Sequence, residues 1–275
     1  MNNFVLRTLS AIVYAGTVIA STLLNPAYFG IVFMVITALA IYEHHKLVGA
    51  SVKSTVYAVG CGVLMFAASY FYFAEAPICK WLWFMYLCVL TAAIIRELFV
   101  VQENPIRSWG HLCSSQIMVA LPFALMNGVL MDSKWLMLAL FAIIWINDSG
   151  AYIVGSLMGK RKQGNHKMFP RVSPAKSWEG LIGGLVFDLI AGYVFYVLGW
   201  TEGMHLTAYP LLDSMLFTLV IGIFGTLGDL IESLFKRTLG VKDSGKFLPG
   251  HGGVLDRFDS LLLAVPVAYL LFVYL

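Results

Sequence analysis

From Ser233 to Asp259 the chain reads SLFKRTLGVKDSGKFLPGHGGVLDRFD, a charged, glycine-punctuated block between two strongly apolar stretches. Lys236, Arg237, Lys242, Lys246 and Arg257 stand beside Asp243, Asp256 and Asp259, and His251, Gly252 and Gly253 make a corner. Cations, carboxylates and backbone amides bared by glycine are the groups that handle phosphate and a divalent cation. Asp229 and Glu232 are three residues apart with Lys236 four further on, and Asp256 and Asp259 repeat the interval of three. If the helix carrying Asp229 continues, it brings Asp229, Glu232 and Lys236 together at its end. Two clusters of hard oxygen donors point to Mg2+, which takes a few carboxylates, substrate phosphates and retained waters. A salt-bridge network that serves packing alone is the competing reading. For His251-Gly252-Gly253 the simplest reading is a tight turn; the functional one has the glycine amides on phosphate oxygens and His251 donating a hydrogen bond.

Upstream, Asp148, Tyr152, Gly155 and Gly159 recur at steps of four, three and four, next to Asn147 and Ser149, so they share one helical face. An ionised carboxylate inside a membrane span costs about 3 kcal/mol on insertion scales, which makes an idle Asp148 improbable. Pairing for packing alone is the alternative. The following loop, GKRKQGNHKMFPRVSPAKSWEG, holds six basic residues. Attraction to anionic headgroups accounts for the Lys160 to Lys162 run. Ser173, Lys176 and Ser177 stand where a helix begins, and a helix N-terminus offers unpaired amides and a positive dipole end to an anion. In the next span Gly180, Gly184 and Asp188 lie four residues apart on one face, and Asp188 fits a structural and a functional role equally well.

These residues need a scaffold, and the composition says which. Charged residues are 12% of the chain, hydrophobic ones 60%, and the mean hydropathy is +0.82. Such a chain is a polytopic membrane protein, since a span takes about 20 mostly apolar residues. The expected fold is all-α with about nine transmembrane helices, near 8–25, 27–43, 54–74, 79–101, 112–131, 134–157, 179–199, 209–230 and 258–275. Nine crossings put every Lys and Arg except Lys80 and Lys134 on one side, so by the positive-inside rule the N-terminus and the loops after spans two, four, six and eight are cytoplasmic. The first span is expected to stay attached, because no small-residue cleavage site follows it. Residues 1–131 form an N-terminal region of about five spans, and 132–275 a catalytic region of about four spans with two cytoplasmic loops.

In the first region the expectation is bland. His44-His45 and Arg96-Glu97 sit at the cytoplasmic surface as interfacial anchors and local ion pairs, and Trp81, Trp83, Trp109 and Trp135 anchor span ends. Cys61, Cys79, Cys88 and Cys113 form no CxxC pair and read as apolar packers.

The block as a whole resembles the signature of the phosphatidate cytidylyltransferases, also called CDP-diacylglycerol synthases. The resemblance runs through Ser233, Lys236-Arg237, Lys242-Asp243, Gly245, Pro249, His251-Gly252-Gly253, Asp256-Arg257 and Asp259. It extends to NDSGAYIVG from Asn147 and SPAKSWEG from Ser173, covering most of residues 140–275. It implies transfer of the cytidylyl group of CTP to phosphatidic acid, giving CDP-diacylglycerol and pyrophosphate, with Mg2+ on the positions that here are Asp229 and Asp256. Lys176, Lys236 and Arg257 join these two as candidate catalytic residues. Asp148, Ser173, Ser177, Glu232, Arg237, Lys242, Asp243, His251, Gly252, Gly253 and Asp259 are candidate substrate-binding residues. A homodimer is an expectation from the family alone. The expected partners are CTP, phosphatidic acid and membrane lipids, with no nucleic acid, and the expected location is a bacterial-type cytoplasmic (inner) membrane with the site facing the cytoplasm. Two other functions compete: a CTP-dependent polyprenol kinase, and an ion-coupled transporter using Asp148, Asp188 and Asp229.

Overall fold

The computed structural model describes residues 3–100, 104–160, 164–204, 206–245, 247 and 252–274. Lys246 and His251, and Arg161 and Lys162 of the basic loop, lie outside the described residues. The first elements are α1 (Asn3–Leu24), α2 (Pro26–Leu47), α3 (Val52–Phe73), α4 (Cys79–Arg96), α5 (Pro105–Ser115), α6 (Leu121–Asp132) and α7 (Lys134–Gly159). Then follow β1 (Lys167–Phe169), β2 (Ser173–Ser177), α8 (Trp178–Val197), α9 (Pro210–Thr238), α10 (Leu255–Phe258) and α11 (Leu261–Tyr269).

Among the described residues seven helices are long and apolar enough to cross a membrane, counting Pro105–Asp132 as one. Two shorter apolar helices, Thr8–Leu24 and Leu261–Tyr274, occupy the places of the first and ninth expected spans, so nine is an approximate count. The protein is an all-α integral membrane protein.

Helix starts follow from local chemistry. Asn25, Ser51, Asn104, Ser133 and Ser177 each accept a hydrogen bond from a backbone amide in the first turn of the helix they cap. Pro26 and Pro105 fill first-turn positions where no amide is needed. Between α5 and α6 the helix widens into a π-turn at Gln116–Ala120. Pro122 follows directly; it has no amide to return to the preceding turn, and its ring crowds the carbonyl four residues back.

The chain divides into two compact units, Met1–Met131 with Val241–Phe258, and Asp132–Gly240 with Asp259–Leu275. In the first, Phe33 stacks on Phe29 with ring centroids 4.1 Å apart and meets Phe123 and Phe258 at 6.4 and 5.8 Å. Phe258 thus packs the end of the charged block into the aromatic core of this unit.

His44 and His45 are not surface anchors. Both are buried, with His45 Nε2 3.1 Å from Ser115 Oγ and His44 Nε2 3.3 Å from Ser114 Oγ. The reason is that α5 brings its serine pair beside this turn of α2. Arg96 and Glu97 do pair locally, at 3.6 Å.

In the second unit, α7, α8 and α9 pack through glycine. A Cβ on Gly180 would sit 3.0 Å from the Ala151 carbonyl oxygen, and one on Gly184 would lie 2.9 Å from Asn147 Nδ2. Such bare positions let helix backbones approach closely. The loop between α7 and α8 holds an antiparallel hairpin, with Lys167 opposite Ser177 and Phe169 opposite Ser173. From sequence, Ser173, Lys176 and Ser177 are expected at the start of a helix; Ser177 does cap α8, whereas Ser173 and Lys176 lie on β2, and Pro174 holds Ser173 extended, as residues before proline prefer.

Candidate active site

The face of α7 that carries Asp148, Tyr152, Gly155 and Gly159 lines a cavity of about 440 Å³ in the second unit. Asn165, Lys167, Lys176 and Ser177 from the hairpin, with Gly180 and Thr226, complete its wall. Ser173 is on β2 but is not one of the lining residues. Ser177 caps α8: its Oγ accepts from the Gly180 amide at 3.1 Å and lies 3.4 Å from Asn165 Nδ2. Asn165 Nδ2 also donates to the Gly155 carbonyl at 2.6 Å, tying the loop back to α7.

Lys176 reaches α9. Its Nζ lies 2.7 Å from Asp229 Oδ2 and 3.3 Å from the Thr226 carbonyl oxygen. The other carboxylate oxygen of Asp229 accepts from Ser233 Oγ at 3.2 Å. Both side chains of the pair keep about a quarter of their surface open, 21% for Lys176 and 27% for Asp229. α9 continues to Thr238, so Glu232 and Lys236 follow Asp229 along it and form a buried i,i+4 ion pair. Arg237 Nε donates to the Val172 carbonyl at 3.4 Å, linking the end of α9 to the hairpin. Asp259 sits just before α11; its Oδ1 accepts from the Ser260 amide at 2.7 Å. A Cβ on Gly228 would lie 2.6 Å from the Asp259 carbonyl oxygen, so this glycine is what lets α9 meet that corner.

Asp188 belongs to a hydrogen-bonded cluster with Asn147 and Thr226. It is fully buried, and its Oδ2 accepts from Asn147 Nδ2 at 2.6 Å, while Thr226 Oγ1 donates to Asn147 Oδ1 at 3.2 Å. A buried carboxylate that is hydrogen-bonded in this way joins three helices.

In the first unit, described residues of the charged block gather at Asp256. Asp256 Oδ2 accepts from the Ser244 amide at 2.8 Å and the Gly253 amide at 2.7 Å. Gly252 has φ +83°, and a Cβ there would sit 2.5 Å from Asp256 Oδ2, so this turn needs glycine. Lys242 and Asp243 are exposed, and Arg257 is half-buried with its carbonyl accepting from the Tyr14 hydroxyl at 3.1 Å. A residue not foreseen from sequence also contributes: Glu43 of α2, whose Oε2 accepts from Ser244 Oγ at 3.1 Å and the Leu255 amide at 2.9 Å. The signal was the polar Glu43-His44-His45 run near the end of an apolar helix.

Among the described residues no three His, Cys, Asp or Glu side chains form a cluster that would hold a metal unaided. The donor chemistry still suits Mg2+, which commonly takes one or two carboxylates and leaves its remaining positions to water and substrate phosphates. Asp229, with about a quarter of its side chain open, is a carboxylate of this kind.

Residues 5–275 match the model of the cytidylyltransferase family. The chain belongs to that family. It is 47% identical over 144 residues to a phosphatidate cytidylyltransferase of Staphylococcus haemolyticus, covering 52% of this chain and 50% of that relative. Matches of 45% and 46% over 133 residues link it to proteins of the same name from Staphylococcus saprophyticus and Staphylococcus aureus, each covering 48% of this chain and 47% of the relative. The chain spans about half the length of the curated relatives it matches.

Proposed function

We propose that this protein transfers the cytidylyl group of CTP to phosphatidic acid, forming CDP-diacylglycerol and pyrophosphate, at the cytoplasmic face of a bacterial inner membrane. The observation that carries the reading is the Lys176 to Asp229 pair beside a cavity lined by the family's own segments, Asn147 to Gly155 and Ala175 to Gly180. The location rests on the bacterial relatives and on the one-sided distribution of Lys and Arg.

Both substrates are polyanions, so the protein's task is to align them and offset their charge. A phosphate monoester has a second pKa near 6 and is largely ionised at neutral pH, which is why no Ser-His-Asp device is needed to make a nucleophile. An oxygen of the phosphatidic acid phosphate bonds to the α-phosphorus of CTP in line as the bond from that phosphorus to the bridging oxygen breaks, and pyrophosphate leaves with the electron pair. Holding the two groups collinear supplies much of the acceleration. Lys176, with its ammonium already at the cavity wall, stabilises charge on the phosphates. Lys236, Arg237, Lys242 and Arg257 are the further candidate cations for the departing pyrophosphate. Mg2+, when bound, would supply Lewis-acid neutralisation of phosphate oxygens. We assign it to Asp229 from that residue's surroundings, and to Asp256 from the family resemblance.

The deciding assay uses purified protein in lipid vesicles containing phosphatidic acid, with CTP labelled at the α-phosphate. Label recovered in CDP-diacylglycerol supports the proposal. Label leaving as CDP would make the protein a kinase, and the absence of any turnover by folded protein would return the transporter reading.

A further inference from the structure

Glu43 has no part in the reaction as proposed, yet it is 6% exposed and aimed at the signature block from 201 and 212 residues away in sequence. We infer that Glu43 is the positioning residue of this loop: its carboxylate holds residues 243–245 and 253–256 together and thereby fixes the placement of Asp256 and the Gly252-Gly253 backbone.

Ser244 carries the coupling. Its hydroxyl donates to Glu43 and its amide to Asp256, so one residue is bonded to both carboxylates. Leu255, next to Asp256 in sequence, donates its amide to the same Glu43 oxygen. Two glycines of the loop leave room for the Glu43 carboxylate. A Cβ on Gly245 would overlap Glu43 Oε1, and one on Gly253 would overlap Glu43 Oε2. Gly245 and Gly253 therefore present bare backbone to the carboxylate. Hydrogen bonds to a carboxylate are roughly twice as strong as neutral ones, and a buried donor that loses its acceptor is costly. No shorter or apolar side chain at position 43 would reach both donors.

The functional arm of this inference rests on the proposed cytidylyl transfer; the structural arm does not. The test is hydrogen–deuterium exchange on the full-length protein in lipid nanodiscs, alongside the CTP assay, for Glu43→Ala, Glu43→Gln and Ser244→Ala. In Glu43→Ala, exchange across 242–258 accelerates by about tenfold or more, the scale expected for an unmade buried hydrogen bond. Peptides of α2 and α3 keep their wild-type rates. kcat/KM for CTP falls by about 100-fold, the scale of a small misplacement of reacting groups. Glu43→Gln, which keeps the shape and one acceptor, gives smaller effects in both readouts and guards against a misfolded alanine variant. Combining Glu43→Ala with Ser244→Ala gives less than the sum of the two, because they share the same contact. The inference is overturned by unchanged exchange in 242–258, by acceleration spread equally over α2, α3 and the loop, or by wild-type kcat/KM in Glu43→Ala. A wild-type protein without cytidylyl transfer would sink the proposed function while the exchange data still judged Glu43.

Discussion

Lys176 Nζ lies 2.7 Å from Asp229 Oδ2, joining the strand that precedes α8 to the inner part of α9. The pair is partly open to its surroundings, and exposed ion pairs contribute only about 0–1 kcal/mol to stability. Lys176→Met is therefore expected to leave the thermal midpoint nearly unchanged while kcat drops by about 100-fold, the usual loss when one charge-stabilising donor is removed. Thermal unfolding and steady-state kinetics on the same preparation check both halves. A large fall in the midpoint with intact kcat would make the lysine a strut.

Glu232 and Lys236 behave differently because both are buried. Removing one partner of a buried pair costs about 3–5 kcal/mol, whereas replacing both is far milder. Lys236→Met should lower the thermal midpoint as well as activity, and adding Glu232→Gln should restore much of the midpoint. If the double variant also regains full turnover, Lys236 has no role in the chemistry.

Gly222 faces Asp188 so closely that a Cβ there would overlap its Oδ2. Gly222→Ala must displace the Asn147 to Asp188 hydrogen bond, and overpacking of this sort costs about 1–3 kcal/mol. Gly16 on α1, where a Cβ meets nothing within 4 Å, is the control. Thermal stability should fall for Gly222→Ala and hold or rise slightly for Gly16→Ala; equal behaviour would mean that α8 and α9 have slack at this crossing.

Metal removal separates catalysis from folding. The proposed reaction uses Mg2+ on the substrate phosphates, so chelation with EDTA should abolish turnover; with no cluster of three metal-ligating side chains among the described residues, the thermal midpoint should stay within a degree or so. Mg2+ added back should restore activity in proportion to its occupancy. Unfolding on chelation would reveal a structural metal instead.

Much of the site was legible because its residues recur at helical intervals. Asp148, Tyr152, Gly155 and Gly159 declared one face of α7, and that face lines the cavity. Gly222, Gly225 and Gly228 recur at intervals of three along α9, and Asp188, Ser260 and Asp259 are what they meet. Carboxylate spacing along a helix likewise gave the Glu232 to Lys236 pair once α9 continued to Thr238. Contacts made between distant segments were not legible. Nothing near Glu43 in sequence shows that Ser244 and Leu255 will hang from it, and nothing in His44-His45 names Ser114 and Ser115 as partners. The hairpin escaped notice because a three-residue strand has no periodicity to read.

The reach of Glu43 has a consequence for biosynthesis. Its side chain leaves the ribosome and enters the bilayer with α2, some 201 residues before Ser244 exists to receive it. Throughout that interval the carboxylate needs water or another temporary donor at the membrane surface, since a bare anion in hydrocarbon is not tolerated. The N-terminal unit can therefore reach its final state only after nearly the whole chain has been translated, and a message truncated before codon 244 would yield inserted helices with an open, hydrated seam.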